Sequence, residues 1–388
     1  MVPRFSLPAR ARLPQWMAAL ALSGISLTLA SIAMAEGTTF ETQKGPVVAE
    51  VVADGFDHPW AMAMLPDGAI LVTERSGSLW LVRNGEKSPV DGVPPVAAVG
   101  QGGLLDIVAD EEFRETRRLW FTWSKAGPQG FATTLSTATL SQDESQLDGV
   151  TELFTMNKAS MTGHHFGSRI VLAPDNKLFI TIGERGEGMR AQDPFDHAGS
   201  LIRLNRDGSL PSDNPYANGR DGLPEIWSKG HRNPQGAAWD KVSGRLWTVE
   251  HGAMGGDEIN RPEPGLNYGW PIIAYGRNYD GTKIGKGFEA EGYQQPTYYW
   301  DPSIAPSGMA FYEGTLHPRW QGDLFVGALK YQMVVRLGIL DGAVFSEERL
   351  FEGAFGRIRD VRAFADGALW LLTDEDNAQL IRIVATGQ

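Results

Sequence analysis

The chain is 388 residues long, 42% hydrophobic, 21% charged and 10% aromatic, which is enough apolar content for a sizeable core and too much for a disordered chain. Lys and Arg number 35 against 47 Asp and Glu, a net charge of −12, and this argues against a nucleic-acid binder because a polyanionic partner calls for a basic face. Cysteine is absent, so disulfide frameworks, Cys-ligated zinc or iron–sulfur sites and a Cys nucleophile are excluded by counting.

Residues 1–35 read as a secretory signal peptide. Arg4, Arg10 and Arg12 make a positive start, a mostly apolar run follows from Trp16, and Ala33-Met34-Ala35 stands in the A-x-A cleavage position. The alternative is a membrane anchor, but the more apolar part, Met17 to Ala30, is shorter than the ~20 residues a span needs and is diluted by Ser23, Gly24 and Ser26. Cleavage would remove three positive charges and no negative ones, leaving a mature chain at −15. The expected location is a bacterial periplasm, where a cysteine-free chain has no disulfides to mispair. Residues 36–46 read as an N-terminal linker, with no membrane span in the mature chain.

From residue 47 to 388 no linker divides the sequence, and one phrase recurs six times: a turn, a short apolar strand, a polar turn, and a second strand. It appears as WAMAMLPDGAILVTE from Trp60, GGLLDIVADEEFRETRRLWFTWS from Gly102, FGSRIVLAPDNKLFITIGE from Phe166, PQGAAWDKVSGRLWTVEHG from Pro234, PSGMAFYEGTLHPRWQGDLFVGALK from Pro306 and IRDVRAFADGALWLLTDE from Ile358. The intervals leave room for a four-stranded sheet each, and helical periodicity is scarce. The expectation is an all-β, six-bladed β-propeller of four-stranded antiparallel blades, which protects its edges by radial repetition. A β-sandwich is the alternative, but it would not require the phrase six times. The 46 glycines fit its turns, such as Pro66-Asp67-Gly68, Asp207-Gly208 and Ala365-Asp366-Gly367. The VVAEVV run, Val47 to Val52, is expected to add a strand to the last blade and close the ring.

In such a fold, first-strand starts and second-strand ends share one face. The starts supply Gln101, His164, His165, Arg232, Asn233, Arg357 and Arg359; the ends supply Glu74, Glu184, Glu250, His251, Lys330 and Asp374. Any one of these has an ordinary structural reading, but three Arg, one Lys and a His pair at equivalent phases point to one axial pocket suited to an anion. The rim carboxylates could instead neutralise these cations internally. The loop EHGAMGGDEINRPEPGLNYGW, Glu250 to Trp270, combines open glycine carbonyls with Asp257 and Glu258, an oxygen-rich set that suits calcium. A solvated turn has the same composition.

The segments DHPWAMAMLPDG, GQGGLLD, HHFGSRI, GHRNPQG, GGDEIN, NYGWP, GALK and GRIRDVR, in this order, closely resemble the soluble PQQ-dependent aldose sugar dehydrogenases, relatives of soluble quinoprotein glucose dehydrogenase. The resemblance runs from about residue 47 to 385. It implies a propeller holding pyrroloquinoline quinone (PQQ) and Ca²⁺ on the axis, with His165 as general base. It further implies cofactor contacts from Gln101, Arg232, Asn233, Tyr279, Lys330, Arg357 and Arg359, with Ala328 and Leu329 in the same GALK segment. Gly252 and Ala253 would offer carbonyls to a calcium at the quinone, and Glu258 and Tyr268 resemble ligands of a second calcium. Relatives often carry Pro where Ala253 stands, and the position of His164 is variable, being Asp or Asn in some of them; the first change could loosen the calcium loop and the second could alter pH dependence.

The cationic rim and the resemblance agree, because PQQ carries three carboxyl groups. The expected activity is oxidation of an aldose's anomeric hydroxyl to the lactone, with His165 taking the proton and calcium and Arg232 stabilising developing charge. The electron acceptor and preferred sugar are not named by the sequence. A calcium-dependent propeller lactonase and a non-enzymatic propeller binding module are the competing readings.

Overall fold

The computed structural model describes residues 37–386 together with Met1 and Pro3. The segment read as a signal peptide therefore lies almost wholly outside the described residues. Among the described residues, no helix is long and apolar enough to cross a membrane.

Six antiparallel sheets make up the fold. The first holds β3 (Pro59–Met64), β4 (Ile70–Glu74), β5 (Leu79–Arg83) and β6 (Glu86–Pro89), once β1 (Thr38–Phe40) and β2 (Val47–Phe56) have passed to another sheet. The second holds β7 (Leu104–Ala109), β8 (Arg118–Gly127), β9 (Gly130–Leu140) and β10 (Leu147–Thr155). The third holds β11 (Ile170–Ala173), β12 (Lys177–Thr181), β13 (Ser200–Asn205) and β14 (Ile226–Lys229). β15 (Pro234–Asp240), β16 (Arg245–Glu250), β17 (Asp257–Asn260) and β18 (Tyr298–Trp300) form the fourth. The fifth is β19 (Pro306–Phe311), β20 (Leu324–Ala328), β21 (Met333–Leu340) and β22 (Ala343–Leu350). The last combines β23 (Ile358–Ala363), β24 (Leu369–Thr373) and β25 (Ala378–Ala385) with β2 and β1.

Each copy of the repeated phrase thus supplies the first two strands of one sheet. First strands touch in sequence around the ring, β3 to β7, β11, β15, β19, β23 and back to β3, which makes a six-bladed β-propeller. The ring closes as expected: β2 pairs with β25 over Val47↔Ala385 to Phe56↔Ala378, joining the two ends of the chain in one blade. That blade has a fifth strand, because Thr38–Phe40, within the stretch read as a linker, pairs with Val47–Ala49.

The local chemistry explains the strands. Runs such as ILVTE and LWLLT are fully buried, as strands packed on both faces should be. Two of the turns between first and second strands, in the first and last blades, are set by Asp-Gly: Asp67 and Asp366 accept the N–H groups of Ala69 and Ala368, each at 3.1 Å, and the intervening Gly68 and Gly367 sit at φ +89° and +83°. Apolar clusters lie between neighbouring blades, for example Leu71, Leu105 and Phe121.

Polar groups from several blades meet close to the axis. Arg169 and Arg362 interlock with Asp106 and Asp360, with N···O separations of 2.6–3.1 Å, and Arg169 stacks 4.4 Å from the Trp60 ring centre. Arg169 Nε also donates to the Gln235 carbonyl at 2.9 Å. Breaking such a buried network leaves uncompensated charge, which is why one partner cannot be lost cheaply.

Candidate active site

His165 precedes β11 in the left-handed region, φ +50°, a conformation that costs a non-glycine residue energy and persists only where surroundings enforce it. Its N–H donates to Gln101 Oε1 at 2.9 Å. A Cβ on Gly183 would collide with its carbonyl, so glycine there is what lets the His165 backbone come close. His165 Nδ1 lies 2.8 Å from Glu184 Oε1. The carboxylate fixes the tautomer, with Nδ1 protonated and the Nε2 lone pair free to take a proton. Burial lowers the imidazole's pKa; Glu184 opposes this and Arg232 and His164 reinforce it, so His165 is held below its ordinary range. For Glu184 burial alone would raise the pKa, but His165 and Arg232 outweigh it and hold the carboxyl low.

Arg232 is 7% exposed. Its backbone N–H donates to Glu250 Oε2 at 2.6 Å, its Nη1 reaches the His251 carbonyl at 3.3 Å, and the guanidinium lies over Trp270. Its Nε is buried with no hydrogen-bond partner. Glu250 is occupied by His231, 2.9 Å away. Asn233 accepts the Gly167 N–H at 3.1 Å, tying the start of β15 to the His165 turn.

Two cavities adjoin at His251 and Ala305. The first, about 440 Å³, is lined by His58, Arg75, Gln101, Leu329, Arg357 and Arg359 among others. Arg359 donates to Asp374 Oδ2 at 2.5 Å and to Gln235 Oε1 at 3.0 Å, and Arg357 reaches the same Asp374 oxygen at 3.2 Å. Burial pushes Asp374 up, but Arg359 and Arg357 prevail and hold it at about 2. The second cavity, about 530 Å³, is lined by His251, Gly252, Ala253, Tyr279 and Lys330 among others. Tyr279 is 75% exposed, and Lys330 lies 5.1 Å from the Tyr331 ring centre. Burial and the neighbouring Arg232 and Arg359 drive His251 down to about 3, so it is neutral, with a buried Nε2 that has no partner.

Of the sequence-predicted residues, Gln101, Leu329, Arg357 and Arg359 line the first cavity and Gly252, Ala253, Tyr279 and Lys330 the second, while His165 and Arg232 reach them only through Gln101 and the His251 carbonyl, and Asn233 and Glu258 line neither wall. Ala328 packs with its side chain in a hydrophobic cluster and leaves the wall to Leu329. Asp257, expected as a hard ligand, is spent as a brace: it accepts Gly252 N–H, Ser303 Oγ–H, Ile304 N–H and Ala305 N–H at 2.7–3.0 Å. The Tyr268 hydroxyl donates to the Arg261 carbonyl and accepts Glu263 N–H, so only its carbonyl oxygen is left to offer. Arg75 and Gln235 were missed; each stands one or two places past a residue that the repeat phase selected, at Glu74 and Asn233.

The donor sets fit an anion and a hard cation respectively. Arg232 and Arg359 both carry buried Nε–H groups without partners, which carboxylate oxygens would satisfy. In the calcium-like loop, Glu258 shares Asn260 Nδ2 with Glu250, at 3.2 and 3.0 Å, while Asn260 Oδ1 is orphaned. Burial, then the charge of Glu250, pushes Glu258 up to about 8, as expected where oxygen ligands crowd without a cation.

Residues 56–382 match the glucose/sorbosone dehydrogenase family model. The chain belongs to this family. Within it, the chain is 44% identical over 340 residues to aldose sugar dehydrogenase YliI of Escherichia coli, covering 86% of this chain and 92% of that one. A crystal structure of the soluble aldose sugar dehydrogenase from Escherichia coli in the apo-form superposes with a TM-score of 0.85 at 43% identity, covering 87% and 99%. The PQQ-bound form of aldose sugar dehydrogenase from Streptomyces coelicolor gives 0.72 at 26%, covering 87% and 98%.

Proposed function

We propose that this member of the family is a PQQ-dependent aldose sugar dehydrogenase that oxidises the anomeric hydroxyl of aldoses to lactones. The observation that carries the reading is the pairing of His165 and its Glu184 carboxylate with the buried Arg232, beside a cavity whose cations exceed their carboxylate partners. When bound, PQQ supplies the acceptor for the hydride that leaves the anomeric carbon. Gln101, Asn233, Tyr279, Lys330, Arg357 and Arg359 would hold its polar edge, with Leu329 forming wall. Gly252 and Ala253 would offer carbonyls to a Ca²⁺ beside it; Glu258 and the Tyr268 carbonyl would hold a second.

The chain's own work is proton transfer and electrostatics. His165 Nε2 takes the proton of the anomeric hydroxyl, and Glu184 stabilises the imidazolium that results. Arg232, whose guanidinium makes no direct ion pair among the described residues, favours negative charge where it develops. Export to the periplasm follows from the segment 1–35.

The test is reconstitution. Purified apoprotein given PQQ and Ca²⁺ is expected to reduce a dye with aldoses and release lactone. No turnover with PQQ demonstrably in the cavity overturns the reading, and lactone hydrolysis without PQQ points to a lactonase instead. His165→Ala should keep PQQ and lose most turnover.

A further inference from the structure

A third cavity lies away from the cofactor site, and nothing in the proposed chemistry uses it. It encloses about 210 Å³ between the third and fourth blades and is lined by Phe179, Trp227, Trp239, Arg203, Asp175, Arg245 and Glu263 among others. Asp175 follows β11 and Gly244 precedes β16, so these turns stand at the opposite ends of their strands from His165 and Glu250. The cavity therefore opens on the face opposite the proposed active site.

Its aromatic shelf is held in place. Phe179 meets Trp227 edge-on, with ring centres 5.5 Å apart, and stacks with Trp239 at 6.4 Å. Both indoles pack on a buried cluster that includes Val171, Leu201 and Leu246. Trp227 Nε1 donates to the Pro262 carbonyl at 3.1 Å, and the Arg203 guanidinium lies 4.9 Å from its ring centre. Arg203 is itself 5% exposed and is fixed by Asp175, Asp213 and Asn214 at 2.8–3.2 Å. Each tryptophan packs one side on that cluster and keeps part of its ring in solvent, which leaves an aromatic face open on a rigid support.

We infer that this cavity is an accessory saccharide site, taking one pyranose ring. Its chemistry selects that class. Arg203 is already matched by Asp175 and Asp213, and Arg245 by Glu263, so the rim is charge-balanced and demands neither a cation nor an anion. What remains is a flat, electron-rich face beside forked donors and acceptors. A pyranose presents the complement, an apolar C–H face and a ring of hydroxyls that pair with carboxylate and guanidinium. The small enclosed volume limits affinity to the weak range. The site is independent of the activity proposed above and would concentrate or retain sugar without turning it over.

The probe is methyl β-D-glucopyranoside, whose anomeric oxygen is blocked and which cannot be oxidised to a lactone. Tryptophan fluorescence and calorimetric titration of the PQQ-loaded full mature chain are expected to give saturable, millimolar binding. Trp239→Ala should weaken it by about tenfold or more, Trp239→Phe should keep most of it, and turnover of free aldoses should stay within about twofold. Glu263→Ala, at a partly exposed position, tests the same site if Trp239→Ala does not fold. Absence of saturable binding overturns the inference, as does equal binding by wild type, Trp239→Ala and Glu263→Ala. Saturable binding by PQQ-loaded wild type that turns over no aldose would count against the dehydrogenase reading alone.

Discussion

Glu184→Gln isolates the charge of the proposed catalytic dyad while keeping its shape. Glu184 Oε1 lies 2.8 Å from His165 Nδ1, and a glutamine oxygen can accept the same N–H, so the tautomer survives. What disappears is the negative charge facing the imidazolium. A hydrogen bond to a charged group is worth about 1.5–3 kcal/mol, so kcat should fall by about 10- to 150-fold while PQQ affinity stays near wild type. The pH profile supplies the sign. Glu184 raises the pKa of His165, whereas Arg232 lowers it. Removing Glu184's charge therefore lowers it further, and the acid limb of kcat/KM, where the base becomes protonated, must move to lower pH. Arg232→Gln must move the same limb to higher pH. The assay is dye reduction at saturating PQQ and Ca²⁺ across the acid range. An acid limb that rises in Glu184→Gln, or kcat within about twofold of wild type, refutes the dyad.

Three further outcomes are expected. Arg359→Ala strips the buried Asp374 carboxylate of its nearest cation, which should cost about 3–5 kcal/mol by thermal unfolding and weaken PQQ in a titration. Because Asp374 is held at about 2 in the folded protein, against about 3.9 unfolded, its contribution to stability is fully present above the unfolded value and lost as pH falls through about 2; the variant's unfolding curve should lack that acid-dependent part. Glu258, pushed up to about 8 without a cation, should release a proton on binding Ca²⁺ at pH 7, so calorimetry in buffers of different ionisation enthalpy should detect it. Calcium affinity should rise with pH until above about 8. Gly183→Ala, whose Cβ would strike the His165 carbonyl, should lower kcat with PQQ affinity little changed, measured by the same dye assay and titration.

The fold was legible because its unit is short and repeated. Six copies of one turn–strand–turn–strand phrase fix both the number of blades and the phase within each, and phase alone placed His165, Arg232 and Arg359 on one face. Closure by Val47–Phe56 could be read from an apolar run with no partner nearby in sequence. Thr38–Phe40 could not, since three residues carry no period and pair only because β2 offers them an edge. Phase also does not reveal which oxygen of a group is spent. Asp257 reads as a calcium ligand by composition, yet four backbone and side-chain donors claim it, a fact that depends on Ser303 to Ala305 coming back across the sheet.

The axial cluster carries this furthest. Asp106, Arg169, Asp360 and Arg362 are charged residues in or beside first strands, where the pattern asks for small apolar side chains, and each alone looks like a rim residue. They are instead one closed network reaching across the axis. Its link to function is Gln235, whose carbonyl accepts from Arg169 and whose side chain accepts from Arg359. The same residue therefore joins the balanced charges of the plug to a cation that the cavity leaves only partly matched. A propeller with a purely apolar axis would have no such anchor, and Arg359 would then rest on Asp374 alone. The net charge of −12 says nothing of this, because the excess carboxylates lie elsewhere and the cations that matter are counted locally, by which of their N–H groups remain without an oxygen.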